Sequence, residues 1–111
     1  MKCLSLKQPY AGLVADGRKT IETRRWNTNF RGKFFIHSSK SIDNDSATLL
    51  NIDCSKLIKG AVIGFAFLYD VKRYISEEDF LADKEQHFST KFSKPKYCLL
   101  LEHERTWTNQ Y

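Results

Sequence analysis

A chain of 111 residues has room for one domain and not for two, so residues 1–111 read as a single unit. A hydrophobic share of 41%, an aromatic share of 14% and a charged share of 28% exclude disorder, and no apolar run reaches the roughly 18 residues that cross a bilayer. The net charge of +5 favours a polyanionic partner, nucleic acid before membrane, because no basic amphipathic helix is present.

The charge is unevenly spread: residues 1–40 hold nine Lys or Arg against two acids, and residues 41–111 hold nine against eleven. The start of the chain, "MKCLSLKQPYAG", meets a charge and a proline before a signal-peptide core can form, which predicts a soluble, cytoplasmic protein. Cys3, Cys54 and Cys98 are odd in number and lack CxxC spacing. They predict buried reduced thiols and neither a disulfide framework nor a metal or redox pair.

In chain order, "KCLSLK" (2–7) alternates as an opening strand, and Pro9 begins a short helix with Tyr10, Leu13 and Val14 on one face. Gly17 stands where a left-handed cap ends that helix. "KTIETRRW" (19–26) has the β-branched alternation of a strand, "NTNFRG" (27–32) is turn-rich, and "KFFIHSS" (33–39) is a second strand, so the two are expected to form a hairpin. Leu49, Leu50, Cys54 and Leu57 predict a helix with a ragged entry. "GAVIGFAFLYDVKRYI" (60–75) predicts a long, bent central strand. Ser76 and Asp79 open a further helix with capping-box spacing, and Tyr97 to about Arg105 is the closing strand. The connections are too short for a doubly wound sheet, and a small curved sheet or barrel with helices at its ends fits better.

The stretch "GRKTIETRRWNTNFRGK" (17–33) gathers Arg18, Lys19, Arg24, Arg25, Arg31 and Lys33 around the single acid Glu22. Glu22, Arg24 and Trp26 alternate onto one strand face, so Glu22 can orient Arg24 and leave other donors free for phosphate or a base edge. The same spacing also describes a surface ion pair worth about 0.2–1 kcal/mol. Strict alternation sets Lys19 on the opposite face unless the corner turns it. Beside Arg18 and Arg24 it is either a charged anion-binding group or a lysine of lowered pKa. Trp26 and Phe30 serve either as a stacking surface or as core. His37 reads as a structural histidine, His87 and His103 stand alone, and no metal-ligand spacing, P-loop, GxSxG or HExxH is present.

The run "LSLKQPYAGLVADGRKTIETRRWNTNFRGKFFIHSSK" resembles the N-terminal half of an ASCH domain, of the PUA-like superfamily, whose hallmark G-x-K-x-x-E-x-R stands here as Gly17, Lys19, Glu22 and Arg24. The likeness continues through "GAVIGFAFLYDV" to "YCLLLEH" and covers most of the chain. It implies an α+β fold, a small PUA-like β-barrel of curved mixed sheet with flanking short helices. The chain stops soon after "RTW", so one barrel wall is expected to be incomplete or built otherwise.

The resemblance further implies binding of RNA, single-stranded DNA or a modified nucleoside, with Lys19, Glu22, Arg24, Arg25, Trp26, Arg31 and Lys33 as contacts; the residues themselves call for no metal or organic cofactor. Some members are ribonucleases, and one bacterial subgroup hydrolyses the amide of N4-acetylcytidine with a lysine, a threonine and a glutamate. In that alternative Lys19, Glu22 and Glu85 are the catalytic candidates, with Glu22 standing where the subgroup has its threonine and Thr20 and Thr23 nearby. A protein-interaction domain for an acidic partner is the third reading.

Overall fold

The computed structural model describes residues 2–89 and 97–102. β1 (Cys3–Gln8) runs into Pro9, which caps α1 (Tyr10–Ala15). Gly17 lies at φ 88°, the left-handed region that glycine enters without strain. The Gly17 N–H donates to the Val14 carbonyl at 3.2 Å and the Lys19 N–H to the Leu13 carbonyl at 2.9 Å, so the helix ends at the expected glycine and Lys19 sits on its cap. β2 (Ile21–Arg24) follows directly, then β3 (Gly32–Ile42), α2 (Asn44–Leu49), a 3-10 turn (Cys54–Lys56) and β4 (Ala61–Lys72). Ser76 accepts from the Asp79 N–H at 3.1 Å and starts α3 (Glu77–Ala82), which breaks at Asp83 into α4 (Lys84–His87), before β5 (Tyr97–Glu102).

The strands form one curled half-barrel in the order β1-β3-β4-β5-β2, with β1 parallel to β3 and the remaining pairs antiparallel. Inside the curl, Leu6, Phe34, Ile36, Ala66, Leu68, Leu99 and Leu101 pack with Ala11 and Val14 of α1. Each large side chain so buried contributes about 1.5–3 kcal/mol. Gly64 lets α1 lie close, since a Cβ there would stand 3.2 Å from Ala15 Cβ. The fold is thus α+β, a small curved mixed sheet with short helices, as expected.

Several expectations are corrected. β2 and β3 do not form a hairpin: β2 pairs with β5, Glu22 opposite Leu99, while β3 lies between β1 and β4. The segment between them is no tight two-residue turn, and its backbone is held by Arg31, whose Nη1 donates to the Thr28 and Phe30 carbonyls at 3.0 and 2.8 Å. It carries the chain across the curl instead of reversing it. The helix expected through Cys54 and Leu57 stops at Leu49, because Asn51 turns to φ 58° and Asp53 caps a separate 3-10 turn through the Ser55 N–H at 2.9 Å. Cys54 and Cys98 are buried, but Cys3 is exposed, since alternation turns it outward from β1. The extension of the last strand to Arg105, and His103, lie outside the described residues.

Candidate functional site

β1 and β2 are the two edges of the sheet, and the curl brings them face to face. Arg24 Nη2 on β2 donates to the Ser5 carbonyl on β1 at 3.1 Å, bridging a seam that no ladder closes. Along this seam opens a polar cleft of about 580 Å³, within the range of small-molecule pockets. Ser5, Leu6 and Lys7 form one lip, and Glu22, Thr23 and Arg24 the other. Tyr10, Lys19, Asp43 and His87 are among the residues that line the remainder.

Lys19 is almost fully buried, 3% exposed. Its ammonium has three donors, and acceptors stand around it: the His87 carbonyl at 2.6 Å, the Ile21 carbonyl at 2.7 Å and Glu22 Oε1 at 3.4 Å. The Tyr10 ring centroid is 5.3 Å away. The corner after Gly17 therefore turns Lys19 to the side of Glu22, against strict strand alternation. Burial pushes the Lys19 pKa below the ordinary lysine value, Arg24 acts in the same direction, and Glu22 opposes both.

Glu22 is buried between the cations, with Oε2 3.0 Å from Arg24 Nε. That Nε–H is not aimed at the carboxylate: among the described residues it is the one buried side-chain donor without a hydrogen bond, so the contact is an ion pair rather than a directed bond. The guanidinium carbon of Arg24 also lies 5.9 Å from the Trp26 ring centroid. Lys19, Glu22 and Arg24 thus form one charged row in the cleft, with Glu22 as its organiser.

The remaining candidates are dispersed. Arg25 is exposed and does not line the cleft. Trp26, 44% exposed, lines not this cleft but a smaller apolar groove of about 180 Å³ with Cys3, Phe30 and Phe34. Phe30 is partly buried against the core. Arg31 is engaged by its own loop and stands 3.6 Å from Asp70, while Lys33 lies on the outer face of β3 over the Phe35 and Phe65 rings. Glu85 is exposed on α4 and does not line the cleft, so the structure does not join it to Lys19 and Glu22.

Sequence reasoning passed over Lys7 and Asp43 and read His87 as standing alone. His87 is fully buried; its Nε2 donates to the Phe80 carbonyl at 2.6 Å and its Nδ1 accepts the Ser89 N–H at 3.0 Å, which makes it a neutral imidazole protonated on Nε2. Phe80 stacks on it at 4.0 Å. This packing aims the His87 carbonyl at Lys19. Among the described residues no group of three or more His, Cys, Asp or Glu is placed to hold a metal ion, and no helix is long and apolar enough to cross a membrane.

A small curled α+β half-barrel whose open seam carries a cationic cleft is the class that fold and site define. The family model for the ASCH domain matches residues 4–107, and the chain belongs to the ASCH domain family. Among solved structures it is similar to the ASCH protein from Zymomonas mobilis, with a TM-score of 0.62 and 18% identity over 90% of this chain, a likeness of fold. The chain covers 65% of that protein's length. Comparison with curated proteins returns no match.

Proposed function

We propose that the cleft binds single-stranded nucleic acid, RNA foremost, by taking one unstacked base or nucleoside into the seam. The observation that carries this is the row Lys19–Glu22–Arg24 in a polar cleft, with Lys7 at the opposite lip. The exposed cations neutralise phosphates, and Glu22 is an acceptor for a base's exocyclic amine or ring N–H. Lys19, with acceptors already around its ammonium, sets the shape and charge of the cleft.

The test is fluorescence anisotropy of a labelled mixed-sequence RNA against wild type, Lys7→Ala and Arg24→Ala, with folding checked by circular dichroism. Micromolar or tighter binding that salt weakens is expected, with a loss of about tenfold in each variant whatever the sequence. Lys7 is exposed, so its removal leaves the fold intact. Unchanged affinity in both variants would remove the cleft from the binding surface.

Lys19 favours a second reading, hydrolysis of an acylated nucleoside. A neutral amine spends two N–H donors on the Ile21 and His87 carbonyls and keeps a lone pair on the side of Glu22 and the cleft. As base it takes a proton from water, hydroxide adds to the acyl carbon, and the C–N bond breaks as the nucleoside amine leaves with that proton. Incubation with N4-acetylcytidine, followed by chromatography, should release cytidine and acetate; Lys19→Ala at undiminished turnover would sink the scheme.

A further inference from the structure

Lys33 stands apart from the cleft, and the surface it occupies has a composition of its own. Ile36 is buried in the core and Gly64 lies against α1, so alternation turns the neighbouring pair Phe35 and Phe65, directly opposed across β3 and β4, to the outside of the curl. Cys3 and Ser5 of β1 stand opposite Phe35 and His37 in register, and Val62 of β4 also faces His37. Phe65 is 41% exposed and Val62 51%. The Lys33 ammonium lies 4.4 Å from the Phe65 ring centroid and 5.3 Å from that of Phe35. α1 packs on β1, β3 and β4 from the inner side.

We infer that this outer face is a second nucleic-acid contact, a platform on which two bases of a single-stranded RNA stack against Phe35 and Phe65 while Lys33 moves from the rings to a phosphate. Phe65 is exposed and Phe35 half-buried, and aromatic rings on adjacent central strands suit unpaired bases, every one of which has a π-face. A lysine at the centre of the patch argues against a protein-docking core, from which lysine is depleted. Asp70, an exposed acid farther along β4, is paired with Arg31 at 3.6 Å.

The platform is continuous with the cleft through one residue: Ser5 lines the cleft, and its Oγ is hydrogen-bonded to His37 Nδ1 on the outer face at 2.8 Å. Adjacent strands lie about 4.8 Å apart, so β1 and β3 put the rings within a few nucleotides of the seam. The inference rests on the cleft reading above, and gives it a direction, from the seam over β1 onto the rings.

The experiment compares a labelled ten-nucleotide single-stranded RNA with cytidine monophosphate, by anisotropy and by calorimetry. The proteins are wild type, Phe35→Leu, Phe65→Leu, Lys33→Glu and Arg24→Ala, with thermal melts to confirm folding. Leucine keeps apolar volume and removes the ring face. Each leucine variant should lose about five- to one-hundredfold in affinity for the decamer, the worth of one stacked base, and none for the mononucleotide; Lys33→Glu should follow the same pattern. Decamer affinity unchanged in these three variants but reduced in Arg24→Ala would overturn the platform and leave the cleft standing. A wild type that binds neither RNA nor mononucleotide would overturn the cleft and the platform with it. A dimer in sedimentation without RNA, dissociated by Phe65→Leu with RNA affinity unchanged, would assign the face to a second copy and overturn the proposal.

Discussion

Lys19 holds three segments together: its N–H is on the cap of α1, and its ammonium reaches the Ile21 carbonyl of β2 and the His87 carbonyl at the end of α4. Removing its ammonium takes the donor from the Ile21 and His87 carbonyls and leaves the buried Glu22 with Arg24 alone. Lys19→Met should therefore lower stability by about 3–5 kcal/mol, the cost of breaking a buried pair, as read by urea denaturation at neutral pH. The pH dependence has a defined sign. Because burial lowers its folded-state pKa, the folded chain gives up this proton at lower pH than the unfolded chain, whose ordinary value is 10.5. Between those values the unfolded state binds more protons, so the Lys19 contribution to stability rises with pH. Lys19→Met should flatten that rise. The spacing of Lys19, Glu22 and Arg24 was legible in the sequence as a unit around one acid. The partner that fixes Lys19 was not, since a backbone carbonyl at His87, 68 residues away, leaves no mark in a side-chain pattern.

At the scale of elements, the strands and capped helices were readable where local chemistry decides them, as at Gly17 and Ser76. Pairing was not. A hairpin between β2 and β3 was expected from adjacency, yet β2 finds β5 because the intervening loop has its own hydrogen bonds and does not reverse the chain. A second non-local fastening lies beyond β4, where the Tyr74 hydroxyl donates to Asp83 Oδ2 in a short hydrogen bond and Lys72 Nζ stands 3.1 Å from the same oxygen. Tyr74 also packs edge-on against Phe80, at 5.3 Å. The Tyr74 hydroxyl and Lys72 hold the Asp83 carboxyl below its ordinary 3.8, while burial and the carboxylate push the Tyr74 pKa up. Stability from Asp83 is fully present above pH 3.8 and is lost as pH falls through its lower folded-state pKa. Tyr74→Phe should cost about 1 kcal/mol at neutral pH and move the acid limb of the stability curve to higher pH, measured by urea titration across pH 2–6.

At the scale of the molecule, charge and curvature act together. The excess of cations in residues 1–40 was plain in the sequence, but the curl distributes it: Lys7 and Arg24 line the cleft, Arg25 is exposed next to Arg24 in the chain, and Lys33 stands on the outer face. With Lys7, Arg24 and the exposed Arg25 neutralising three phosphates, the logarithm of the RNA binding constant should fall against the logarithm of salt with a slope of about −2, at roughly −0.7 per phosphate; a slope near zero would show that the cations do not meet phosphate. The lips of the cleft belong to opposite edges of one sheet, so the opening between them is the gap left when the sheet rolls up. Its calibre is set by what fills the roll, Phe34, Leu68 and Leu99 among others. The molecule works as a calliper whose jaws are β1 and β2 and whose screw is the core. Trimming a side chain that touches no ligand should close or spread the jaws, and so retune which nucleoside fits while every charged residue stays in place.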